Sequence, residues 1–228
     1  MIAQPHLVRL GKLDAVEFAC ADANALTVVC MHGYGADMRD LAPLALDIPA
    51  GRPLRWIFPN APEVLEWGGR AWFPIDVAAF EEAQRTGVPR DLSDSEPGGL
   101  AESRRLLQGL LAQLGGDWGK LVLMGFSQGA MLALDLALRA SKPPAGVIIL
   151  SGAPVDLGSF KVLAPKRKGL RFFQSHGSVD PILGFQQALA LEKGLQEAGW
   201  VGSLRRFEGG HGVPPEVVGE LGAWLKAL

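Results

Sequence analysis

The chain has 228 residues, 48% of them hydrophobic, with 22 basic and 24 acidic side chains for a formal net charge of −2. That is enough apolar material for one large core. The near-balanced charge gives no field that would favour nucleic acid or anionic lipid, so a neutral small molecule is the expected partner.

The opening MIAQPHLVRL has no apolar run long enough for a signal peptide. No stretch reaches the roughly 18 uninterrupted apolar residues of a membrane helix. A cytoplasmic protein without stable membrane association is expected. Residues 6–10 and 13–19 roughly alternate in polarity and predict an antiparallel hairpin at a sheet edge. Cys20 and Cys30 lie in apolar, strand-like surroundings and are expected as two buried free thiols.

Residues 26–31, 54–58, 121–125, 146–150 and 170–174 are mostly continuous apolar runs. Such runs suit strands covered on both faces, and their alternation with longer helical patterns predicts parallel βαβ units. Leu100, Leu106, Leu107, Leu110, Leu111 and Leu114 trace one face of a helix. Residues 128–139 carry almost no charge besides Asp135 and Arg139, so that helix should lie buried against the sheet. Further helices are expected over 184–198 and 215–227, the last opening on Pro214-Pro215. The more polar 203–207 predicts an edge strand. The stretch 59–99 fits this alternation poorly, with tryptophans, glycines, prolines and the charge runs Glu81-Glu82 and Arg90-Asp91. It is expected as an irregular excursion over the C-terminal strand ends, where open α/β sheets bind ligands. The whole is expected to form a single domain, an α/β fold with a mostly parallel sheet and helices on both faces.

Gly125-Phe126-Ser127-Gln128-Gly129 matches G-x-S-x-G. The pattern alone is weak, but here a buried strand runs into it and a buried helix leaves it, which is the strand–turn–helix of a nucleophile elbow. Such a turn strains the serine backbone and exposes its Oγ, with helix N–H groups directed at the same spot. A serine hydroxyl needs a base to take its proton. Of the four histidines, His6 lies in the edge hairpin, and His32 and His176 sit at strand ends where they could be structural. His211 occupies the loop Gly209-Gly210-His211-Gly212 after the last strand, and is the expected base. Asp180 and Asp156 each follow a strand in positions that suit the orienting acid, and either gives the chain order Ser, Asp, His. An oxyanion needs two N–H donors. One should be that of Gln128, and the other should come from the loop His32-Gly33-Tyr34-Gly35-Ala36-Asp37. Asp37 would also suit a helix N-cap.

MHGYGAD, FPNAP, RAWFPI, GFSQGA, HGSVDP and GGHGVP stand in the order found in the bacterial carboxylesterase and acyl-protein thioesterase family, also called phospholipase/carboxylesterase. The resemblance spans about residues 26–226 and implies an α/β-hydrolase fold with no metal or organic cofactor. It makes Ser127, Asp180 and His211 the triad, leaving Asp156 as a loop or capping residue, and the N–H groups of Tyr34 and Gln128 the oxyanion donors. Tyr34 stands where thioesterase members commonly have leucine, and the segment after Trp72 and Phe73 is long and charged. A small carboxylic ester is therefore the expected substrate, with an acyl-protein or lysophospholipid hydrolase as the alternative and a non-catalytic binding module as the third reading. Trp72, Phe73 and Phe126 are the expected apolar walls, Trp67 less directly. Exposed aromatics near the site would suit a homodimer contact.

Overall fold

The computed structural model describes residues 4–88 and 96–228. Among the described residues ten strands form: β1 (His6–Leu10), β2 (Leu13–Phe18), β3 (Leu26–Met31), β4 (Leu54–Pro59), β5 (Glu63–Val64), β6 (Arg70–Ala71), β7 (Leu121–Phe126), β8 (Gly146–Leu150), β9 (Arg171–Gly177) and β10 (Val201–Phe207). The helices are α1 (Leu44–Asp47), α2 (Val77–Thr86), α3 (Leu100–Leu114), α4 (Gln128–Arg139), α5 (Leu157–Leu163), α6 (Phe185–Glu197) and α7 (Pro215–Lys226). Eight strands make one sheet in the order β1-β2-β4-β3-β7-β8-β9-β10. The first two join antiparallel and the rest run parallel. This is the α/β-hydrolase architecture.

The apolar runs are central because both sheet faces are covered. One core holds α3 and α4 with Val29, Leu123, Val147 and Phe172. The other packs Val217, Leu221 and Leu225 of α7 and Ala45 of α1 against Val28, Val122, Ile148 and Phe173. Every residue from Gln128 to Leu138 in α4 is buried. Its one buried charge, Asp135, is matched by Arg104 of α3 and, at 2.8 Å, by Arg139. A charge in that position is tolerated only when paired.

Register brings the strand ends level. Met31 pairs with Gly125, Phe126 with Leu150, Leu150 with Ser175, and Phe207 with Gly177. The segments that follow β3, β7, β8, β9 and β10 therefore leave the sheet along one edge. From β3 the chain passes to β4 on one side, while β7 lies on the other, so a crevice opens between them at this edge.

Three expectations change. The 59–99 excursion is not irregular throughout: it contains the β5–β6 hairpin and the ten-residue α2, while Arg90-Asp91 lies outside the described residues. Asp37 caps no helix; its carboxylate accepts the N–H of Arg39 at 2.7 Å and closes a turn. Cys30 is buried, but Cys20 lies past the end of β2 and is partly exposed. Among the described residues no helix is long and apolar enough to cross a membrane.

Candidate active site

Ser127 sits at the turn between β7 and α4 with φ 53° and ψ −117°, a conformation rare for a residue with a side chain. Several contacts hold it there. Its N–H donates to Leu150 O at 2.9 Å, and its carbonyl accepts from Ala130 and Met131 at 3.0 and 3.1 Å. The flanking glycines are steric necessities. A β-carbon on residue 129 would stand 2.1 Å from the Met31 carbonyl oxygen, and one on residue 125 would stand 2.1 Å from Gly129 O. Strain of this kind persists only where the surroundings over-determine it, and it collects at functional sites.

The loop after β3 lies alongside. A β-carbon on Gly33 would be 3.5 Å from Ser127 Cβ, so the chain passes very close to the serine. Among the described residues the N–H groups of Tyr34 and Gln128 have no hydrogen-bond acceptor. Both are free to bind an anionic oxygen, with the N-terminal end of α4 adding favourable potential. The β5–β6 hairpin straps this loop through Gly35 N–H to Arg70 O at 2.8 Å and Arg70 N–H to Ala36 O at 2.9 Å. His32 bolts it from below: Nε2 accepts the N–H of Ala61 at 3.1 Å, and Nδ1 donates to Gly33 O at 2.8 Å. Burial holds the His32 pKa below its ordinary value.

His211 reaches the same edge from the loop after β10. That loop lies tight on β9, since a β-carbon on Gly177 would be 2.1 Å from Gly210 O. Val179 N–H donates to Gly209 O at 3.1 Å, and Ser151 Oγ to Gly212 O at 3.1 Å. The imidazole rests 4.9 Å, centroid to centroid, from the ring of Phe126, the neighbour of Ser127. Its Nδ1 is 2.7 Å from Asp180 Oδ2, and the Asp180 side chain is fully buried. Among the described residues the Ser127 hydroxyl has no hydrogen-bond partner, and His211 has none beyond Asp180. Contacts of this type commonly close only when substrate is bound.

Burial alone would raise the pKa of Asp180. Hydrogen bonds from His176, then from His211, with the charge of His211 and the N–H of Leu183, outweigh it and hold the carboxyl well below the usual range. Its contribution to stability is thus present in full above the unfolded value of about 3.9 and is lost as pH falls toward the depressed native one. The stability gap between wild type and Asp180→Asn should shrink as pH falls below about 4. Urea unfolding across that range measures it.

Asp156 goes elsewhere. It is the N-cap of α5, accepting Ser159 N–H at 3.1 Å, and pairs with Arg139 at 3.1 Å. Trp72 and Phe73 also go elsewhere. They are 1% and 2% exposed and belong to the core, so neither presents a wall to the crevice. Trp72 Nε1 donates to His32 O at 2.9 Å, and the Gln128 side chain takes Trp72 N–H at 2.8 Å while donating to Phe73 O at 2.7 Å. Phe126 remains half-buried beside the imidazole. Trp67, 64% exposed, meets the Tyr34 ring edge-on at 6.2 Å next to the loop after β3. Gln128 thus has a clamping role that the sequence does not reveal. Replacing it by leucine would orphan one buried donor and one buried acceptor, at a cost of about 2–4 kcal/mol. The expected readout is a lower urea midpoint with an unchanged m-value.

The phospholipase/carboxylesterase family profile matches residues 15–228. The chain belongs to this family. Among its relatives in the family, a probable carboxylesterase of Oryza sativa subsp. japonica is 26% identical over 232 residues, covering 98% of this chain and 85% of the relative. Acyl-protein thioesterase 1 of Cryptococcus neoformans is 25% identical over 183 residues, covering 76% of this chain and 74% of the relative. The crystal structure of esterase PE8 superposes with a TM-score of 0.77 at 25% identity, covering 100% of this chain and 99% of that one. This family member is accordingly a hydrolase of the carboxylesterase and thioesterase type.

Proposed function

We propose that the chain is a single-domain serine carboxylesterase that hydrolyses small carboxylic esters through an acyl-enzyme on Ser127. The observation that carries this reading is the 2.7 Å pair between His211 Nδ1 and the buried Asp180, beside a serine held at φ 53°. A carboxylate only accepts, so Nδ1 carries the proton and Nε2 keeps its lone pair for the serine. Ser127 Oγ attacks the ester carbonyl as His211 Nε2 takes its proton, forming the C–O bond of a tetrahedral adduct. The negative oxygen is held by the N–H groups of Tyr34 and Gln128. The adduct collapses, the ester C–O bond breaks, and the imidazolium gives its proton to the departing alcohol. Water then attacks the acyl-enzyme with His211 again as base, releasing the acid and restoring Ser127. Asp180 stays ionised and keeps the imidazole turned toward the serine.

Half-buried Phe126 beside His211, and half-buried Tyr34 against the exposed Trp67, supply apolar surfaces at this edge. Among the described residues Trp72 and Phe73 are turned into the core and away from the site, which favours a short acyl or alcohol part. Thioester hydrolysis is the second reading, supported by the thioesterase relative, and it uses the same steps with a thiol as leaving group. A series of p-nitrophenyl esters of rising acyl length, run beside one acyl thioester, separates the two. The small-ester reading expects kcat/KM to peak at short acyl chains and to exceed that for the thioester of equal length. A peak at long chains or a preference for the thioester would overturn it in favour of the second.

A further inference from the structure

Asp180 has a second imidazole on its far side. His176, the penultimate residue of β9, is completely buried, and its Nε2 lies 3.2 Å from Asp180 Oδ2 and 2.7 Å from Leu183 O. Both neighbours of that nitrogen are acceptors, so Nε2 carries the hydrogen and shares it between them. The other ring nitrogen, Nδ1, is buried and faces no hydrogen-bond partner among the described residues. Meanwhile Asp180 Oδ1 accepts the N–H groups of Ile182 and Leu183 at 2.8 and 3.0 Å. The carboxylate therefore meets four donors, two per oxygen, which is the full acceptor capacity of the group.

Two of those donors use the same oxygen. His211 Nδ1 and His176 Nε2 both point at Oδ2, from the loop after β10 and from β9. We propose that His176 is a positioning residue for the ester hydrolysis: its Nε2–H fixes the Asp180 carboxylate from behind and draws charge away from the face that His211 uses. This rests on the reading that Asp180 orients His211 for Ser127. Because the two N–H groups share Oδ2, the carboxylate charge is divided between His176 and His211. Among the described residues, the groups facing this cluster are few. Phe126 covers His211 from β7, and Phe185 of α6 lies 6.3 Å from the His176 ring. Arg206 of β10, opposite His176 in the sheet, is ion-paired to Glu208 at 2.7 Å; the two are 59% and 81% exposed, with Arg206 over the Phe185 ring at 5.6 Å. They are screened by solvent and leave the two imidazoles to set the balance on Asp180.

His176→Leu removes the donor at similar bulk, whereas His176→Gln carries an amide N–H near the position of Nε2. The leucine variant should lose roughly 10- to 100-fold in kcat with KM little changed, because the imidazole is misaimed and not the substrate. The acid limb of its kcat/KM profile should move up by about half a pH unit to one unit. The glutamine variant should recover most of the rate and return the limb toward wild type. A leucine variant with the wild-type rate and limb, or a folded glutamine variant as impaired as leucine, would overturn the proposal. A measurement on the unmutated protein covers the case in which neither variant folds. Imidazole ¹⁵N NMR should find His176 as the Nε2–H tautomer with a slowly exchanging proton, and the Nδ1–H tautomer would contradict the proposal. The underlying triad reading fails by a separate result, namely full ester hydrolysis by a Ser127→Ala protein, so the two failures are distinguishable.

Discussion

Ser127→Ala should lower kcat for a p-nitrophenyl ester by about 10⁴- to 10⁶-fold while leaving the fold intact. The size of the loss follows from the chemistry. Without Oγ there is no covalent intermediate, and only the free N–H groups of Tyr34 and Gln128 and the binding surface remain to assist water. Removing one member of a group that acts as a unit costs nearly as much as removing all of it. His211→Ala should fall into the same range, and the double variant should be scarcely worse than either single one. The check is steady-state turnover together with a thermal melt. Because alanine is little easier than serine to hold at φ 53°, the melting temperature should stay within a few degrees of wild type. A turnover reduced only several-fold would mean that the hydrolysis uses another nucleophile.

Gly129→Ala should be the most damaging small change to stability. The added carbon would meet the Met31 carbonyl oxygen at 2.1 Å, its carbon at 2.5 Å and His32 O at 2.7 Å, all backbone. Neither side can yield cheaply. Met31 is fixed by pairing with Gly125 in the sheet, and residue 129 belongs to the first turn of the most buried helix. Separating α4 from β3 by even one ångström would open the core between them, so a cost of about 4 kcal/mol or more is expected. For a chain of this size that lowers the melting temperature by roughly 10 °C. Gly219→Ala in α7 is the matched control, since a β-carbon there meets nothing within 4 Å. It should be neutral or stabilise by about 0.5–1 kcal/mol through helix propensity. If both alanines behaved alike, the close approach of α4 to β3 would not be what demands glycine.

The features legible in the sequence were those whose cause is local. Continuous apolar runs read as strands because each lies between two cores, and the uncharged 128–139 stretch read as a buried helix for the same reason. Ser127 stands at the β7–α4 turn that its strand–turn–helix context predicts, and His211 lies in the loop after β10, as its glycine-rich surroundings predict. The choice between Asp180 and Asp156 was not decided by position alone. In the fold it turns on which carboxylate faces the His211 loop, and Asp156 is drawn away by Ser159 and Arg139.

The features that were missed depend on distant partners. Trp72 and Phe73 looked like site walls because they are aromatic and lie in the excursion. They are core residues because the side chain of Gln128, more than fifty positions later, takes hold of their backbone. The strap from Arg70 to the loop after β3 and the contact of His176 with Asp180 are likewise invisible in linear order. Helix α2 did leave a local trace: Asp76 accepts Ala79 N–H at 3.0 Å, and Gly87 ends the helix in the left-handed conformation. An Asp before the first turn and a Gly after the last are recognisable caps, and here they were hidden among charges and prolines.

Ester hydrolysis by this chain requires that Ser127 be a hydroxyl made reactive by its surroundings. A fluorophosphonate probe tests that without reference to any substrate, because it bonds covalently only to an activated nucleophile. Peptide mapping by mass spectrometry should find one adduct per chain, on the peptide bearing Ser127, and should find none in His211→Ala under the same exposure. An unmodified Ser127 in the folded wild-type protein, or an adduct on a different residue, would contradict it.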